Sequence, residues 1–257
     1  MLAALEFPPI DHLLEWKDIL FKGTPFGINK TGLLCLASAL ICIVLFLTAA
    51  RRKALVPAGV QNVVEAGVDF IETGIVLNVI GEEGLGYAPF LTAIFFFLLF
   101  LNLFEIVPFI QFPPASRMAI PLYLALQTWV LFLVIGVMKH GPFRYLKKTL
   151  FPPGVPKAMY VLLAPILFVS DFLLRPFTLA VRLFANMMAG HMLLTTFYVL
   201  TTTLLAAKAV YLKPITVLPF AMAIGVTAFE LLVAVLQAYI FTILTAVYIG
   251  ESMSTEH

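Results

Sequence analysis

Five stretches of this chain stay apolar long enough to cross a bilayer, and one stretch repeats on a helical period instead. Thr31 to Ala50 is an unbroken apolar run of about 20 residues, the length one span needs. It ends at Arg51-Arg52-Lys53, a basic stop. Pro89 to Val107 predicts a second span, with Asn102 and Glu105 near its far end, and Ile120 to Met138 a third. Tyr160 to Ala207 is predominantly apolar over about 48 residues, and Pro214 to Gly250 over about 37. As one helix the first of these would reach about 72 Å, against a hydrocarbon core of about 30 Å. It is either broken, with Pro165 and Pro176 as the kinks, or inclined beyond the usual range. Two such helices joined by the short Lys208 to Lys213 loop predict a steeply tilted hairpin.

Pro57 to Ile80 reads differently. Gln61, Glu65, Asp69 and Glu72 follow one another at helical steps and make a polar stripe, while Val60, Val64, Val68, Ile71 and Ile75 lie largely elsewhere. This predicts an amphipathic surface helix. Its polar face is acidic and should meet water or a partner subunit. Residues 1–30 mix charges, Trp16 and Pro8-Pro9 and predict an extramembrane segment near the interface. The stretch from Lys139 to Lys157 reads as a loop. The predicted fold is an all-α polytopic membrane protein of about five membrane helices plus one surface helix. Residues 31–257 form its single membrane domain.

Composition agrees: the chain is 62% hydrophobic and 12% charged, with mean hydropathy +1.04, where soluble domains are about 45–50% apolar. A net charge of +2 without a large basic cluster gives no reason to expect nucleic acid. Cys35 and Cys42, seven apart on one helix, are too distant to bridge and read as packing residues. The start lacks a basic n-region, so no signal peptide is expected. Placing the N-terminus outside and the C-terminus in the cytoplasm puts eight Lys and Arg on cytoplasmic loops and six on the other side. Among short inter-helix loops the ratio is eight to three.

The chemistry sits in Asp171 to Leu194, D-F-L-L-R-P-F-T-L-A-V-R-L-F-A-N-M-M-A-G-H-M-L-L. Arg175 and Arg182 are seven apart and share a helix face, which Asn186 extends. Ala185 and Ala189 border that face and would let another helix approach closely. His191 falls on roughly the opposite side. A central arginine costs roughly 2.5–3.5 kcal/mol on insertion scales, so Arg182 is too expensive to be idle, whereas Arg175 could snorkel beside Pro176. On the last helix Glu230 and Gln237 share a face. Glu230 either pairs with an arginine or lines a watery path, where it could trade a proton with His191. Tyr248 reads as an interfacial aromatic.

R-P-F-T-L-A-V-R-L-F-A-N-M-M-A-G-H, followed by E-L-L-V-A-V-L-Q-A-Y-I-F-T-I-L-T-A-V-Y, resembles subunit a of the F-type ATP synthase. The resemblance runs from the first span to the C-terminus, includes N-L-F-E-I-V-P, and is weakest before residue 30. It implies a non-catalytic stator that holds two aqueous half-channels beside a rotating ring of subunit c, with subunit b as the peripheral stalk. The essential arginine of the family falls on Arg182, its following asparagine on Asn186, and the glutamine of its last helix on Gln237. The basic residue before proline falls on Arg175, one turn after Asp171. The outer half-channel residues fall on His191, Glu230, Asn102 and Glu105. Ala185 stands where the family usually has glycine, and histidine precedes the acid, an order that varies in the family. The resemblance implies no metal and no cofactor, and a bacterial cell membrane. The rival reading is a secondary ion-coupled transporter with an intramembrane Arg/Glu site. A hydrolase is disfavoured, with no H-E-x-x-H and no G-x-S-x-G.

Overall fold

The structure is a computed structural model that describes residues 29–51, 59–107, 110–151, 156, 159–207 and 213–254. The expected interfacial segment over residues 1–30 therefore lies almost wholly outside the described residues, as do Arg52, Lys53 and most of the 208–213 loop. Every regular element among the described residues is helical. They are α1 (Lys30–Arg51), α2 (Val60–Ile71), α3 (Ala88–Leu103), α4 (Ala119–His140), α5 (Pro142–Leu150), α6 (Tyr160–Phe168), α7 (Arg175–Ala206) and α8 (Val217–Met253). Five segments among the described residues are long and apolar enough to span: Lys30–Arg51, Glu82–Leu103, Ala119–His140, Tyr160–Ala206 and Pro214–Met253. The all-α polytopic fold stands.

Local chemistry explains the ends. Asn29 caps α1, its Oδ1 accepting from Gly32 N at 3.0 Å. Gly141 takes a φ of +79° after α4, its N–H reaching Val137 O at 2.8 Å, and Pro142 then opens α5. α5 corrects the expected loop. Its one buried side chain, Tyr145, wedges against Gly136 of α4 and meets Ser252 Oγ of α8 at 3.3 Å.

The amphipathic element forms, but its phase shifts. After α2 comes a π turn, Glu72–Val76, then a short helical turn, Leu77–Val79. The wider turn lets Ile71, Ile75 and Val76 all bury. The carbonyls of Thr73 and Gly74 accept instead from Asn78 Nδ2, at 3.0 and 3.2 Å. Gln61 does not belong to the outer polar stripe: it is buried and donates to Glu65 at 2.7 Å.

The second span closes at Leu103, so Asn102 sits in its last turn and Glu105 lies in the turn beyond it. The long segment is not broken at its prolines. A π turn, Val169–Leu174, joins α6 to α7 where the Pro176 ring would otherwise crowd the Phe172 carbonyl. Tyr160–Ala206 is thus 47 residues of continuous helix, about 70 Å long. A helix of that length lies within a layer of about 30 Å only when steeply inclined.

Contacts divide the chain into two compact units. The first comprises Met1–Ile43, Phe97–Arg117 and Phe184–Ala238; the second comprises Val44–Phe96, Met118–Leu183 and Tyr239–His257. The second unit is held by an aromatic slab. Phe46 meets Phe96 edge-on at 5.3 Å, Phe70 meets Phe95 at 6.1 Å, and Gly67 lets the Phe96 ring approach where a Cβ would lie 2.4 Å away.

Candidate functional site

In the first unit, four of the singled-out residues converge. Asn102, Glu105 and Glu230 are buried, and His191 is half-buried. Asn102 Nδ2 donates to Ala234 O at 3.4 Å, one turn beyond Glu230. Glu105 and Glu230 are close enough to interact electrostatically. The Glu230 carboxyl occupies the place of a side chain at Gly190, where a Cβ would lie 2.3 Å from Oε1; His191 is the next residue. Phe112 meets the His191 ring edge-on at 6.4 Å. Lys30 Nζ lies 5.2 Å over that phenylalanine and donates to Ile110 O at 3.1 Å. Asn102 Oδ1, Glu105 Oε1 and Glu230 Oε2 are buried with no hydrogen-bond partner among the described residues. An unmet buried polar atom costs roughly 1–3 kcal/mol, so these three oxygens call for water as a partner. Burial and the charge of Glu230 push the Glu105 carboxyl, beyond the end of its span, up to about 8. Gln237 is buried and Asn186 half-buried in the same unit.

In the second unit, Arg175 is the hub. Its Nη2 pairs with Asp171 Oδ1 at 2.8 Å across the π turn, and its Nη1 with Glu251 Oε2 at 2.5 Å. Its guanidinium lies 5.0 Å over the Tyr248 ring, which packs on Phe132 at 5.7 Å. Tyr248 is thus the aromatic floor of the cluster. Arg182 is close enough to Tyr248 to act on its hydroxyl electrostatically. A cavity of about 310 Å³ opens on the group, lined by Asp171, Arg175, Glu251, Tyr145, Lys148 and Ser252 among others.

Arg182 itself is exposed and makes no ion pair among the described residues. The exposed stripe of α7 reads Thr178, Arg182, Ala185, Ala189 and Leu193, with small side chains beside the cation. Sequence reasoning missed Lys30, Phe112, Gly190 and Glu251. For Glu251 the signal was there, an acid ending an over-long apolar helix.

The chain matches the ATP synthase A chain family over residues 32–250. ATP synthase subunit a of Parafrankia sp. (strain EAN1pec) is 45% identical over 254 residues, 96% of this chain and 83% of that protein. The subunit of Frankia alni is 43% identical over 244 residues, 93% and 82% of the two chains. That of Hyphomonas neptunium is 37% identical over 257 residues, 99% of each.

Proposed function

Because the chain belongs to the ATP synthase A chain family, we propose that it is the stator through which protons reach and leave a rotating ring of subunit c, braced by subunit b. The membrane sector of an F-type ATP synthase is its setting, a bacterial cell membrane its location. The N-terminus lies outside and the C-terminus in the cytoplasm. One observation carries the reading: an exposed guanidinium, Arg182, near the midpoint of 47 residues of apolar helix, beside exposed alanines. A permanent cation at that depth needs an acidic partner, and small neighbours leave room for one to pass.

Protons arrive through the pocket of Asn102, Glu105, His191 and Glu230, whose unmet oxygens suit a chain of water. There they neutralise a ring carboxylate. They leave past Tyr248 and the Asp171–Arg175 pair into the cavity of the second unit. Arg182 does not carry the proton, since a guanidinium is not deprotonated in proteins. It attracts the bare carboxylate, favours proton release and blocks a direct leak. The drive is about 2.3 kcal/mol per charge per 100 mV, so a dry ion pair much stronger than that would stall the ring. We assign the softening of the contact to water or to Gln237.

The test is Arg182→Ala in the whole complex. Immunoblots should find the subunit in the membrane, and ATP-driven proton pumping in inverted vesicles should vanish. Pumping at the wild-type rate would remove the basis of the reading.

A further inference from the structure

We propose that Glu251 is the last proton-exchanging group of the protein on the cytoplasmic side, held in place by Arg175 and Asp171; this rests on the function proposed above. The cluster holds one guanidinium and two carboxylates, at 2.8 Å for Asp171 and 2.5 Å for Glu251. When one carboxylate takes a proton, the other still balances the cation. The two acids are not equivalent. The Glu251 side chain is 52% exposed and that of Asp171 only 17%, so Glu251 meets water and Asp171 stays as counterion. Glu251 also lines the cavity at the end of α8, and the Tyr248 ring under Arg175 links the cluster toward Arg182.

The charged and titratable groups around it are few. Asp171 comes from the π turn, Arg175 and Arg182 from α7, and Tyr248 from α8 itself. Tyr145 and Lys148 come from α5, and Lys148 Nζ is engaged by the Ser254 carbonyl. α4 lines the cavity with Phe132 and Leu133 only. The step is a proton transfer. An O–H bond forms on a Glu251 carboxyl oxygen as an O–H bond of a hydrated proton breaks, and the reverse step hands the proton to bulk water.

The test uses the complete complex in inverted vesicles, whose outer medium is the cytoplasmic side. ATP hydrolysis then draws protons in through this route. Free protons grow scarce as pH rises, so a collecting carboxylate matters most at alkaline pH. Glu251→Gln still accepts from Arg175 but binds no proton. We expect near wild-type pumping at acidic pH and a loss of about tenfold at alkaline pH. That is less than the ~10²–10⁴-fold a positioned acid or base contributes to chemical steps, since water offers a parallel path. Glu251→Asp should restore the wild-type profile. Two results overturn the proposal: E251Q matching wild type at every pH, or a pH-independent loss that E251D shares, which marks a purely structural ion pair. Should E251Q fail to assemble, E251D decides alone: the wild-type profile supports the proposal and any other profile overturns it. An R182A complex pumping normally would defeat the underlying reading instead, whatever Glu251 does.

Discussion

Gly190 lacks a side chain where the Glu230 carboxyl needs the space. A methyl there would lie 2.3 Å from Oε1, but a carboxyl at the end of a flexible chain can swing aside. Gly190→Ala is therefore expected to assemble normally and to slow proton uptake from the outer side, read as a lower rate of ATP synthesis at fixed driving force. Glu105 sets a pH signature. With its carboxyl raised to about 8, it stays protonated below that pH and becomes a buried negative charge beside Glu230 above it. Between the ordinary carboxylate range and about 8 the folded protein holds a proton that the unfolded chain has lost, so stability falls with pH across that window. Proton conduction measured against outer pH should bend near 8 in the wild type, and Glu105→Gln should abolish the bend. Of the site's residues, the intramembrane charges were legible because each is costly in hydrocarbon. Gly190, Lys30 and Phe112 were not, because their importance lies in what folds against them from distant parts of the chain.

Helices were legible where they were long. α1, α3, α4 and the long C-terminal pair follow from length and apolarity alone. α5 did not, because nine residues with a single buried side chain leave no period to read. The Gly141-Pro142 pair was the sign available, a stop followed by a start. Its anchor is testable. At Gly136 a Cβ would lie 2.3 Å from the Tyr145 ring, which is wedged and cannot yield as a carboxylate can. Gly136→Ala should cost about 1–3 kcal/mol by overpacking. Limited proteolysis should then cut within Pro142–Leu150 faster than in the wild type. The π turns also escaped the pattern, since one extra residue per turn shifts phase without changing composition. At Ile71, Ile75 and Val76 the shift is visible only as two buried residues in succession.

At the scale of the molecule, the polytopic all-α fold was readable from hydropathy, and the over-long hairpin from a mismatch of lengths. The division into two units was not, because neither is contiguous: each takes segments from α1, α3, α7 and α8 or their neighbours. The buried acids Glu105 and Glu230 belong to one unit and the Arg175 cluster with its cavity to the other. Along α7 the boundary between the units falls after Leu183, one residue past Arg182.

The interleaving also bears on how the subunit is made. Glu230 and Glu251 both ride on α8, which is made after every other helix named above. Until that helix arrives, neither unit has all its walls, since each takes a segment of it. For the two proton routes proposed above, the consequence is that the same helix completes both, and a growing chain is expected to open neither one alone.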